Sequence, residues 1–204
     1  MKLDGEGINT VNQSTDRIKP SYLPTYDGCY VCGQTQPHGL QVRFFTGDFG
    51  QVCTHFTPNH NLSGYKNTVH GGVISALLDE LLGWPIALQT GRLFVTGELS
   101  VQYIKPMIVG RTYLAVAIPG NDCGKYWKGS GEIRDDRGLI YAKARGKYFM
   151  LSSAETAKIA QELRYQPGDP PVFQYRVDKR PPSPHINKYA EIPMHDHTNK
   201  GCTL

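Results

Sequence analysis

The 204-residue sequence is short of several things, and each shortage narrows the reading. No uninterrupted apolar run reaches the roughly 18–20 residues that a membrane-spanning helix needs. The opening stretch, MKLDGEGINTVNQS, has no apolar segment of the kind a secretory signal carries. A soluble, cytoplasmic chain with no membrane partner is therefore expected. Charge of one sign is also scarce. Lys and Arg number 22 against 18 Asp and Glu, a net charge of +4, and no basic run interleaves with aromatics, so nucleic acid is not an expected partner. The five cysteines are odd in number and irregularly spaced, which fits reduced thiols in a cytosol better than a disulfide framework. There is no internal repeat. A chain of this length holds one domain with a full core and some extensions.

What is present reads as follows. Residues 1–28 are polar and irregular, a loose arm. Leu40, Val42 and Phe44 alternate with Gln41 and Arg43, TGDFG supplies turn residues, and QVCTHFTP resumes the extended pattern: a β-hairpin. NHNLSGYKNT is a loop. From Gly71 to Gln89 apolar residues cover every direction of a 3.6-residue spiral, so this helix belongs in a core, and Pro85 is expected to bend it or end it early. Four extended segments follow: Leu93 to Lys105, Arg111 to Ile118, Tyr126 to Arg134, and, after a DDRG turn, Leu139 to Met150. In the last, Ile140, Ala142, Ala144 and Gly146 share a face small enough for a helix to lie close. Ser152 and Glu155 form a capping box that opens a short helix over 152–165. Residues 166–204, rich in proline, polar residues and histidine (His185, His195, His197), read as a mobile tail able to dock on a surface. Together the elements predict an α+β fold, a curved antiparallel sheet wrapped around a central helix.

Adjacent carboxylates, Asp79 and Glu80, interrupt the apolar helix. Burying a carboxylate costs several kcal/mol unless something compensates, so they lie at an edge or serve chemistry. They differ by about 100° around the helix and cannot face the same spot. Cys29 and Cys32 have CxxC spacing. Zinc wants four ligands and only His38 follows nearby, so the pair reads as a packed turn, with no metal expected. Lys143, Arg145 and Lys147 form a basic strand face, either a solvated or subunit-facing surface or a track for phosphates. Tyr126, Trp127 and Tyr148 read as packing.

The HGG at His70, Gly71 and Gly72, the acidic residue nine positions after the histidine, and the flanking segments CYVCGQTQPHGL and VTGELSVQYIKPMIVG are carried in order by a known family. Over roughly residues 29–150 the chain resembles the hotdog-fold acyl-CoA thioesterases of the PaaI-like branch. The resemblance implies a hotdog domain over 29–151 and hydrolysis of an acyl-CoA to free acid and CoA, with CoA as part of the substrate and no separate cofactor. It also implies a homodimer, or a dimer of dimers, in which Asp79 of one subunit reaches the site of the other as base or nucleophile. Glu80 is the alternative carboxylate. The Gly71 and Gly72 amides at the helix start would hold the oxyanion, aided by the helix dipole, and His70 would orient the thioester. Thr96, with Ser100 as alternative, would position the water. Some relatives carry an asparagine six residues before the histidine. That position is Gly64 here; Asn61 and Asn67 are nearby but neither holds it, so that role is left unfilled, and Asn67 is taken as substrate-binding together with Lys143, Arg145 and Lys147. Rival readings are a hotdog hydratase or dehydratase and a non-catalytic acyl-CoA-binding protein.

Overall fold

The computed structural model describes residues 21–173. Its elements in chain order are β1 (Thr25–Tyr26), β2 (Phe45–Thr46), β3 (Val52–Phe56), β4 (Ser63–Tyr65), β5 (Thr68–Val69), α1 (Gly71–Thr90), β6 (Phe94–Tyr103), β7 (Tyr113–Asp122), β8 (Trp127–Arg134), β9 (Ile140–Met150), α2 (Ser153–Ala160) and β10 (Leu163–Arg164). Six strands form one sheet in the order β2-β3-β7-β8-β9-β6, and β1-β10 and β4-β5 are separate two-stranded pairs. All pairings in the large sheet are antiparallel. This is the expected α+β architecture, with α1 lying across one face of the sheet.

Small residues set the distance between the layers. On β9, Ala142 and Ala144 are buried against the core, as their alternation predicts. On β8, a Cβ at Gly129 would sit 2.9 Å from the Leu82 carbonyl oxygen, so only glycine lets the helix backbone come this near. On β7 the face turned to α1 carries Tyr113, Ala115 and Ala117, each at most 1% exposed. The larger Leu114, Val116 and Ile118 share the opposite face. Bulk alone would put those three inside; the room left under a helix favours alanine instead.

α1 is buried along Val73, Ile74, Leu77, Leu78, Leu81, Leu82 and on to Ala87. By length and apolarity it matches a membrane-spanning helix, but 61% of its apolar window is buried inside this domain. Pro85 does not end it. The helix runs on to Thr90 and stops at Gly91, whose left-handed backbone (φ 65°) lets its N–H donate to the Ala87 carbonyl. Pro85 withholds only its own N–H, and the burial of Ile86 and Ala87, both fully enclosed, holds the last turn in place.

The hairpin is present but shorter than its pattern: only Phe45–Thr46 pairs with β3, because the backbone of Val42 and Phe44 bonds to Val31 and Leu23 instead. Residues 21–28 are not a loose arm. Leu23 is 1% exposed, and Thr25 and Tyr26 pair with Arg164 and Leu163. The start of the tail docks too. Asp169 meets Arg43 at 2.6 Å, and the Phe173 ring lies 6.3 Å from that of Trp84. The capping box of Ser152 and Glu155 forms as expected. The histidines of the tail fall outside the described residues. Of the four described cysteines, Cys29, Cys32 and Cys53 are free thiols.

Candidate active site

His70 ends the β4-β5 hairpin and stands at the N-cap of α1 in an extended conformation. Its backbone N–H donates to the Leu62 carbonyl at 2.9 Å, and its Nδ1 accepts from the Gly72 N–H at 2.9 Å. An accepting Nδ1 leaves the neutral ring its proton on Nε2. The Gly72 N–H is therefore already used, which corrects the expectation that both glycine amides stand open. A histidine is an unusual cap, but any acceptor two residues before an orphan N–H can serve. Gly71 keeps the first-turn donor that no described hydrogen bond occupies. The exposed His70 adds a second donor direction at Nε2. Gly64 packs under this cap: a Cβ there would lie 3.0 Å from His70 Cα, so the position is filled by close contact rather than by an amide.

A groove of about 540 Å³ opens at this end of the helix, lined by Tyr65, His70, Gly71, Ile74, Tyr103 and Lys105 among others. Tyr103 is the residue here that spacing did not single out. Its hydroxyl lies 2.6 Å from Ser75 Oγ and donates to the Gly71 carbonyl at 3.0 Å. The only sequence signal was its place at the end of the Leu99, Val101 face. Lys105 gives the groove a cation that the sequence reading had sought elsewhere. Lys143, Arg145 and Lys147 alternate with the core-facing Ala142, Ala144 and Gly146, so they lie on the face of the sheet away from α1. There Lys147 is paired with Glu98 at 2.7 Å. Asn67 sits exposed in the β4-β5 turn with a left-handed φ of 60°; its carbonyl accepts from the Val109 N–H.

Two turns into α1 the carboxylates part. Asp79 follows Gly72, Ser75 and Ala76 along a stripe that no element of the protomer fully covers. The Tyr148 hydroxyl donates to the Asp79 carbonyl oxygen at 3.1 Å, fixing the helix at this turn. Burial, with the nearby Asp79 charge second, pushes the Tyr148 hydroxyl well above its ordinary range. Asp79 Oδ1 is buried and has no hydrogen-bond partner among the described residues. Glu80 turns the other way, into its own protomer. Its Oε1 accepts from Trp84 Nε1 at 3.3 Å, and its Oε2 lies 3.0 Å from Cys29 Sγ. Glu80, the alternative carboxylate, is therefore turned away from the stripe that Asp79 shares. Thr96 pairs with Tyr148 and Ser100 with Arg145, which puts Thr96 on the helix side of β6 and Ser100 on the far side.

Residues 66–139 match the model of the Thioesterase superfamily. An uncharacterized protein of Schizosaccharomyces pombe is 34% identical over 101 residues, 45% of this chain and 55% of its own length, so the chain spans little more than half of that curated relative. Among solved structures, protein RHA08564, a thioesterase superfamily protein, is 26% identical with a TM-score of 0.55 over 59% of either chain. The BH2602 protein of Bacillus halodurans, solved with CoA, is 25% identical with a TM-score of 0.50, over 56% of this chain and 77% of its own. The PaaI protein of E. coli, 19% identical at a TM-score of 0.50 over 55% of this chain and 81% of its own, shares the fold. The matched block opens just before His70 and runs through α1 and three of the six strands of the large sheet, β6, β7 and β8: over these residues the chain is similar to the thioesterase superfamily, and it has the hotdog fold.

Proposed function

We propose that the chain hydrolyses the thioester of an acyl-CoA, with a site assembled from two copies. The observation that carries this reading is Asp79 Oδ1, a buried carboxylate oxygen with no donor. Leaving such a group unpaired costs free energy, and a water held for attack on a carbonyl is the partner that gives it a use. The match of residues 66–139 to the thioesterase superfamily and the CoA held by the Bacillus halodurans relative support the substrate class.

In this reading Asp79 of one subunit takes a proton from water as the oxygen attacks the thioester carbonyl. The tetrahedral oxyanion lies against the Gly71 N–H and the His70 Nε2–H of the other subunit, at the positive end of α1. Collapse breaks the C–S bond, and the CoA thiolate takes up the proton that Asp79 removed, giving free acid and CoA thiol. Thr96, on the helix side of β6, helps hold the water. Lys105 is the cation in the groove suited to a CoA phosphate. The bonds of Glu80 to Trp84 and Cys29 favour Asp79 over Glu80 as the base.

A homodimer is the smallest unit this site allows. β6 is an edge strand ten residues long whose outer side has no partner among the described residues, an edge open to pairing with a second copy.

Thiol release from short-chain, aromatic and long-chain acyl-CoAs tests the reading. Turnover of one class with stoichiometric CoA thiol is expected. Exchange of water on a hydroxyacyl thioester without free thiol would assign a hydratase instead, and tight binding without either would assign a sensor.

A further inference from the structure

Two thiols and a carboxylate that hydrolysis does not use come together beneath α1. The sequence offered Cys29 and Cys32 only His38 as a third donor; the fold supplies Glu80, 51 residues from Cys29. We propose that Cys29, Cys32 and Glu80 bind one thiophilic divalent cation, zinc being the metal whose ligand preferences they match.

The geometry is close to what such an ion requires. The two Sγ atoms and a Glu80 carboxylate oxygen all lie within 4.8 Å of one another. With Zn–S near 2.3 Å and Zn–O near 2.0–2.2 Å, tetrahedral ligands stand roughly 3.5–3.8 Å apart, so side-chain rotation alone closes the set. The turn is already shaped to present sulfur. Cys29 Sγ accepts from the Val31 N–H at 3.2 Å and the Cys32 N–H at 3.5 Å, and Cys32 Sγ accepts from the Tyr26 N–H at 3.5 Å. Backbone donors aimed at sulfur stabilise the thiolate, the form that ligates metal. Gly33 follows immediately because a Cβ there would collide with the carbonyls of Cys29 and Asp27, and its N–H closes the turn on the Cys29 carbonyl at 3.0 Å. Trp84 Nε1 holds the other Glu80 oxygen, the outer-shell hydrogen bond that orients a ligating carboxylate.

Cys32 is buried and Cys29 and Glu80 are half-buried, so the three acidic groups share little solvent. A divalent cation satisfies all three at once and leaves a fourth position for water. It would fasten the 26–39 turn to α1 one residue past Asp79. The soft thiolates select zinc or a similar metal over magnesium or calcium.

The test uses the full chain, reduced, stripped with a chelator and titrated with Co²⁺. One equivalent should bind with a thiolate-to-cobalt charge-transfer band, and Zn²⁺ should remove that band one for one. Cys29→Ser should abolish it. Glu80→Gln, with both thiols kept, should retain the band but weaken binding by at least the roughly 10- to 100-fold that loss of an outer-shell partner costs. Circular dichroism checks that each variant is folded. A folded, reduced wild-type chain with no band sinks the proposal, and so does a band undiminished in Cys29→Ser. A Cys29–Cys32 disulfide that, once reduced, leaves a chain unable to take up cobalt also overturns it, in favour of a redox pair.

Discussion

At the scale of single residues, the adjacent carboxylates show how one step of helix sends identical chemistry to two destinations. Asp79 faces the stripe left open by Gly72, Ser75 and Ala76, while Glu80 enters the protein toward Cys29 and Trp84. Replacing Asp79 by Asn keeps the shape and removes the proposed base. Turnover should fall about 10²- to 10⁴-fold, the usual worth of general-base catalysis, with KM little changed. Because Asp79 Oδ1 has no donor to lose, the melting temperature should hold or rise. Stopped-flow thiol release with a parallel thermal melt checks both; full activity in the variant would take the base role from Asp79. The placement of His70, Gly71, Gly72 and Asp79 at the start and the third turn of α1 was legible in sequence because the four lie within ten residues, where spacing fixes geometry. The direction of Glu80 was not, since its partner Cys29 is distant along the chain. Nor was the use of His70 Nδ1 as a cap, because either ring nitrogen satisfies the spelling of the motif.

At the scale of elements, alternation and turn chemistry recovered the four long strands, the central helix and the capping box. It erred where one element had to accommodate another. Pro85 signals a break only while the turn after it has nothing to pack against, and Ile86 and Ala87 have the core. Gly83 is the counterpart on the same helix: a Cβ there would collide with the Phe94 ring. Gly83→Ala should therefore destabilise the domain by about 1–3 kcal/mol, the cost of overpacking, despite alanine's better helix propensity. Urea titration measures this; a stabilised variant would mean that α1 and β6 are not in contact here. The turn after β8 carries a pH signature. Burial works to raise the Asp135 carboxyl, but the N–H groups of Leu139 and Arg137, the Tyr141 hydroxyl and Arg111 outweigh it and hold it below the usual range. A depressed folded value stabilises above the ordinary carboxylate pKa of about 3.9, and that contribution is lost as pH falls through the folded value. Wild type should exceed Asp135→Asn in stability at neutral pH, and the gap should close below about pH 4. Melts from pH 7 down to 2.5 follow it.

At the scale of the whole molecule, the open edge of the sheet and the proposed two-copy site make the same demand. β6 pairs with β9 on one side. Near its end the Ile104 N–H donates to the Tyr141 carbonyl at 2.8 Å. Alternation along an antiparallel strand then turns the N–H groups of Gln102 and Ser100 toward β9 and those of Tyr103, Val101 and Leu99 toward the open edge. A proline at position 101 removes one edge donor and leaves the β9 ladder intact. Val101→Pro should thus keep a folded protomer by circular dichroism while weakening pairing with a second copy. Sedimentation velocity should show the slower species at micromolar concentration. Turnover should fall with the dimer fraction as the protein is diluted, because in the proposed site Asp79 and the His70, Gly71 donors serve the same thioester from different subunits. A monomeric variant that retains the wild-type rate per chain would mean that one protomer holds the whole site, and Asp79 would then have to reach its own helix start two turns away, about 12 Å along the axis at 1.5 Å per residue. That span is too long for one carboxylate and one bound water, which is why association and catalysis are expected to disappear together.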